Sequence, residues 1–94
     1  MQDTITDDAA AGRFELVVGD AVAFVRYRRD GRVLHLTHAE VPPRLEGRGV
    51  GSRLVAAVLE LARARGEKVV PRCPFIAAYL ERHAEFRDLV AGAS

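Results

Sequence analysis

Residues 40–54 read EVPPRLEGRGVGSRL: the end of a strand, a double-proline break, and a glycine-rich turn that runs straight into a helix. No other stretch constrains the fold as much. Neither Pro42 nor Pro43 can donate to a ladder and each restricts the residue before it, so the strand stops at about Val41. Gly47, Gly49 and Gly51, at alternate positions, let the backbone approach a ligand without Cβ clashes. The helix that follows aims its unpaired N–H groups and positive dipole end at the same point, which makes the turn a phosphate cradle. A helix start with glycines kept for packing alone is the competing reading. The Gly-Lys-Ser/Thr ending of a nucleotide P-loop is missing, and so is a dinucleotide-type unit with a later ribose-binding acid.

The flanks give that turn its setting. Val50, Leu54, Val58 and Leu61, widened by Val55, Leu59 and Ala62, form a helical stripe from about Val50 to Arg65, and Gly66 stops it at a left-handed position. Lys68 to Cys73 is a short strand interrupted by Pro71, and Pro74 opens a second helix to about His83 in which Phe75 and Tyr79 share a face with Arg82. Upstream, Arg13 to Val18 and Ala21 to Arg29 favour strands joined at Gly19-Asp20, and Asp30-Gly31 signals a hairpin into the strand Arg32 to Val41. In that strand Val33, His35, Thr37 and Ala39 alternate with Leu34, Leu36, His38 and Glu40. Three antiparallel strands in a meander thus lead into a βαβ unit with a parallel pair. Ligands in such sheets sit beyond the carboxyl ends of the strands, where the glycine turn and Cys73 both fall. The fold class is α+β, a mixed sheet with two main helices. Residues 1–12, polar and alanine-rich, read as a flexible terminus, and residues 13–94 as one domain.

Composition excludes several classes of function. A length of 94 residues leaves room for one small core. A formal net charge of +1 is too balanced for electrostatic nucleic-acid binding, although 13 of the 14 basic residues are Arg, the better bidentate ligand for phosphate. The single cysteine, Cys73, rules out an intramolecular disulfide and a cysteine metal cluster, and no metal site is expected. No apolar run is long enough for a membrane span, so the expectation is a cytoplasmic chain with no membrane partner.

The residues from Thr37 to Val90, with EVPP, EGRGVGSRL, VVPRCPF, AAYLERH and FRDLV in order, resemble the short single-domain subgroup of the GNAT acyl-CoA N-acetyltransferases. The chain departs from the broad superfamily motif at Glu46, which stands where Gln or Arg is usual. A carboxylate there would repel phosphate, so Glu46 is expected to point outward.

The resemblance implies an acetyl-CoA-dependent transfer of an acetyl group to an amine, by direct ternary-complex transfer. It implies a pyrophosphate held by the backbone of Arg48, Gly49, Val50, Gly51 and Ser52, with Arg44, Arg48 or Arg53 neutralising charge. Val41 would offer backbone groups to the pantetheine arm where the parallel strands splay, Cys73 and Pro74 would border that arm, and Arg82 could meet the adenosine 3′-phosphate. Glu40 and His38, on one strand face, are the candidates to take the amine's proton, with Glu40 preferred. Tyr79 is the candidate acid for the departing thiolate, or else a core aromatic paired with Phe75. Cys73 is either a nucleophile, which requires an acyl-enzyme route, or a small buried residue. The superfamily's amino-terminal helices have no counterpart here, so the acceptor groove should be open to a small amine or a protein amino group, in a monomer or homodimer. Arg26, Arg28 and Arg29 disfavour a strongly cationic acceptor. A module that binds CoA or a protein partner with little catalysis is the alternative.

Overall fold

Hydrogen bonding of consecutive strands builds the molecule. In the computed structural model, which describes residues 4–92, strands β1 (Ile5–Asp8), β2 (Arg13–Val18), β3 (Ala21–Asp30) and β4 (Val33–Glu40) form an antiparallel meander, and β5 (Lys68–Pro71) joins β4 in parallel. Helix α1 (Val50–Arg65) makes the crossover and α2 (Pro74–Arg82) follows β5, with 3-10 turns at Pro43–Leu45 and Ala84–Leu89. Gly66 ends α1 with φ +68° and donates its N–H to Ala62 O and Arg63 O, the left-handed cap its position predicts.

The core lies on one face of the sheet. Phe14, Leu16, Ala23, Val25, Leu34, Leu36 and Val69 alternate with partly or fully exposed neighbours along their strands and pack under Val50, Leu54, Val55, Val58 and Leu59 of α1 and Ile76 and Leu80 of α2. Each large aliphatic side chain buried this way contributes about 1.5–3 kcal/mol. That exceeds any helix-propensity term, so packing holds α1 in place. The opposite face carries Val17, Val22, Phe24, Arg26, Arg28 and His38, and no helix of the described residues covers it.

Two expectations give way. The meander has four strands, because Ile5–Asp8 pairs with β2 instead of belonging to an unstructured start. Long-range polar contacts hold it there: the Tyr27 hydroxyl donates to Asp7 at 2.5 Å, Arg65 donates to the same carboxylate at 2.8 Å, and Arg29, itself bridged to the buried Glu67 at 2.8 Å, stands 3.9 Å from it. Sequence periodicity carries no sign of partners 20 and 58 residues away. The second correction concerns β4. Its register with β3 shifts at Thr37, where Arg26 faces His38 but Tyr27 faces Leu36. The extra residue is a β-bulge, and it turns Ala39 to the helix side with Leu34 and Leu36, reversing the strict alternation. His38 and Glu40 consequently share the uncovered face with Phe24 and Arg26.

Candidate functional site

The site begins where β4 and β5 part. Their ladder runs only from Val33–Lys68 to Leu36–Pro71, and Leu36 O then accepts from both Arg72 N and Cys73 N, at 3.0 and 3.1 Å. Beyond that point β4 continues through Glu40 with no partner on the β5 side, while the other chain turns into α2. The splay expected from sequence is present.

A cavity of about 390 Å³ opens at the splay, lined by Ala39 of β4 and Val41 just beyond it, by Leu45, Glu46, Gly47 and Gly49 of the turn, by Val50, Gly51 and Ser52 at the start of α1, and by Phe75. The turn's three glycines have different reasons to be glycine. Gly47 and Gly49 adopt φ of +80° and +73°, a left-handed backbone that costs other residues about 1–2 kcal/mol. Gly51 is helical, and a Cβ there would stand 2.9 Å from the Phe75 ring. Gly49 is the N-cap of α1, and its carbonyl accepts from Arg53 N at 3.1 Å. Helix geometry therefore leaves the N–H groups of Val50, Gly51 and Ser52 without intrahelical acceptors, and no side chain caps the end. Three donors at the positive end of a helix, beside a cavity and next to two left-handed glycines, suit a polyanion.

The predicted binding residues divide on this geometry. Val41, Gly49, Val50, Gly51 and Ser52 line the cavity. Arg48 does not, and Gly47 stands in the lining where Arg48 was expected. Glu46, expected to point outward, is exposed and borders the cavity, and its N–H bonds back to Pro43 O in the 3-10 turn. Arg44 is drawn away to an ion pair with Asp20 at the β2–β3 turn. Arg53 is exposed on the first turn of α1, outside the lining. Arg82 is exposed at the far end of α2, eight residues or about 12 Å along the helix from Pro74. Pro74 occupies the first position of α2, directly before Phe75.

The predicted catalytic residues divide too. His38 and Glu40 lie together, with Nε2 3.3 Å from Oε1, on the uncovered face of the part of β4 that has no neighbour on the β5 side. Cys73 caps α2 with its backbone and is buried, 7% exposed, in the core at the splay. Tyr79 is buried against the helix side, its ring stacked on His83 at 3.8 Å and tilted against Phe86 at 6.4 Å. It neither pairs with Phe75 nor lines the cavity. Burial pushes its phenol pKa up, and the carboxylates of Glu85 and Glu60 push it further.

Sequence reading missed the lining roles of Ala39, Leu45 and Phe75. Phe75 had a signal: an apolar residue at the second position of a helix that starts at a strand end faces the neighbouring turn, and Gly51 in that turn is the gap its ring fills.

Comparison with known proteins gives concordant results. The sequence model of the GCN5-related N-acetyl-transferase family matches residues 13–89. A rice protein, glucosamine 6-phosphate N-acetyltransferase 1 of Oryza sativa subsp. japonica, is 42% identical over 72 residues, which cover 73% of this chain. The match spans only 42% of that relative's length. The solution structure of a GCN5-like protein from Staphylococcus aureus superposes with a TM-score of 0.72 at 29% identity, covering 97% of this chain and 90% of the other.

Proposed function

Because the chain belongs to the GCN5-related N-acetyltransferase family, we propose that it transfers an acetyl group from acetyl-CoA to a primary amine at the β4–β5 splay. The observation that carries the reading is the cradle beside the splay: left-handed Gly47 and Gly49, then three first-turn N–H donors on the wall of a cavity of about 390 Å³. The cradle suits the cofactor's pyrophosphate, with Gly49 to Ser52 holding the phosphates, and Ala39, Val41 and Phe75 offer the apolar wall its arm needs. When bound, acetyl-CoA supplies an acetyl group activated as a thioester.

This chain's own residues supply position and a proton acceptor. Hydrogen bonds to a charged group contribute about 1.5–3 kcal/mol each, against about 0.3–1 kcal/mol for the helix dipole, so the aim of the Val50, Gly51 and Ser52 donors dominates binding. Glu40, with His38 beside it, takes the proton that the amine must lose, directly or through one water. Cys73 and Tyr79 are packed into the core, and we assign both to packing; transfer is then direct, with no acyl-enzyme.

Calorimetry with acetyl-CoA and with CoA tests the binding half, and absence of heat with both would sink it. Thiol release with a panel of amines, glucosamine 6-phosphate among them on account of the rice relative, tests the chemical half. Glu40→Gln should lower kcat about 10²-fold or more with little effect on acetyl-CoA affinity. Cys73→Ala should keep turnover within a few-fold, and its loss would restore the acyl-enzyme route. If acetyl-CoA binds but no amine releases thiol above background, the CoA-binding module is the reading that stands.

A further inference from the structure

The uncovered face of the sheet carries cations that the reading above leaves without a task. Arg26 and Arg28 project from β3, His35 from β4, and Arg72 follows β5 at the splay. Cross-strand register sets Arg26 opposite His38 and Arg28 opposite His35. Arg72 Nε donates to His35 Nδ1 at 3.0 Å, so Arg28, His35 and Arg72 make a row across three strands. With Nδ1 accepting, the neutral His35 ring carries its proton on Nε2, one more donor in the row.

Nothing among the described residues neutralises this row. The ion pairs among the described residues that are set out above involve other arginines, and Arg26 lies over the face of Phe24, at 5.2 Å. The carboxylates on the same face are engaged or apart: Glu15 pairs with Arg13 at 2.6 Å, Glu40 stands beside His38, and Asp30, at the hairpin end next to Arg28, forms no ion pair. On a chain with a formal net charge of only +1, three uncompensated guanidinium groups on one sheet face are a local concentration. Guanidinium forks match phosphate and carboxylate oxygens two at a time.

We infer that this row is the specificity site for the acceptor, which is an amine that also carries an anionic group, phosphate or carboxylate. The inference rests on the acetyltransferase reading. The amine lies at His38 and Glu40, where β4 borders the splay. Arg26 is directly across from His38, about 5 Å away between strands, and His35 is three residues back along β4, about 10 Å. An anion that distance from the amine falls among Arg26, Arg28, His35 and Arg72. A polyamine would put its second charge against the same row and be repelled.

Two arms test this, the first of them without turnover. In the first, the ¹⁵N-labelled chain, alone and with saturating CoA, is titrated with ethanolamine, O-phosphoethanolamine and β-alanine. Saturable shifts at Arg26, Arg28, His35 and Arg72 with either anionic amine and none with ethanolamine support the site, and the stronger of the two tells phosphate from carboxylate. Equal shifts with ethanolamine, no shifts, or shifts confined to Gly47 to Ser52 overturn it. This arm needs no turnover, so it can fail while acetyl-CoA binding and thiol release succeed, and the reverse. In the second arm, Arg28→Glu should raise KM for the preferred anionic amine at least tenfold more than KM for ethanolamine. Equal changes for both amines would overturn the assignment.

Discussion

At the scale of single residues, the three glycines of the turn separate into two physical roles, and substitutions should reveal them. Gly49→Ala forces a side chain into φ +73° and is expected to cost about 1–2 kcal/mol in thermal or denaturant unfolding. Gly51→Ala meets no such strain. Its Cβ would push the Phe75 ring, which is 45% exposed and able to turn, so stability should change by less than about 1 kcal/mol while acetyl-CoA binding weakens. Phe75→Ala in the same chain should recover part of that binding; if it does not, Phe75 is not the group that moves. That glycines were needed at these positions was legible in the sequence. Which of them bends the backbone and which admits a ring was not, because Phe75 belongs to an element 24 residues further on. Tyr79 shows the limit from the other side: helical spacing put it on a face with Phe75, and the stack on His83 that occupies its ring depends on the turn after α2.

At the scale of elements, the bulge in β4 and the edge strand β1 carry most of what periodicity could not supply. Deleting Thr37 would remove the extra residue, restore strict pleating and leave His38, Ala39 and Glu40 on the faces they now occupy. The deletion variant should therefore keep its acetyl-CoA affinity within a few-fold in calorimetry. Loss of measurable binding would mean that the bulge itself shapes the wall formed by Ala39 and Val41. Strand β1 makes a prediction in pH. Burial raises the Asp7 pKa, but the Tyr27 hydroxyl, Arg65 and Arg29 outweigh it and hold the carboxyl below its ordinary value. The folded state therefore keeps Asp7 ionised at a pH where the unfolded chain would protonate it. Its stabilisation is complete above the unfolded value of about 3.9 and drains as pH falls through the lower folded value. Asp7→Asn should destabilise the chain at pH 7 by about 1–3 kcal/mol, discounted for the exposure of Arg65, and should flatten the acid limb of a plot of melting temperature against pH. The elements with local signals, α1 with its glycine stop and β5 with its proline, were readable to the residue or nearly so; β1 was not, since its anchors are distant in sequence.

At the scale of the whole molecule, the proposed reading divides the work between the two sides of the sheet. The helix side holds the core and the glycine cradle, and the uncovered side presents His38, Glu40 and the arginine row, with the β4–β5 splay as the passage between them. Strand order and the crossover were implied by the order of motifs, but sidedness was not, because one bulge decides which face each β4 residue joins. The account's central claim is that the cradle on one side of the splay holds acetyl-CoA. Its most direct test is an acetyl-CoA titration of the ¹⁵N-labelled chain followed by backbone amide shifts. The account predicts saturable shifts largest at Gly49, Val50, Gly51 and Ser52 and continuing along Ala39 to Val41. Shifts centred instead on the separate hollow between α2 and the C-terminal segment, bordered by Leu80, Arg87 and Val90, or no saturable shift at all, would contradict it.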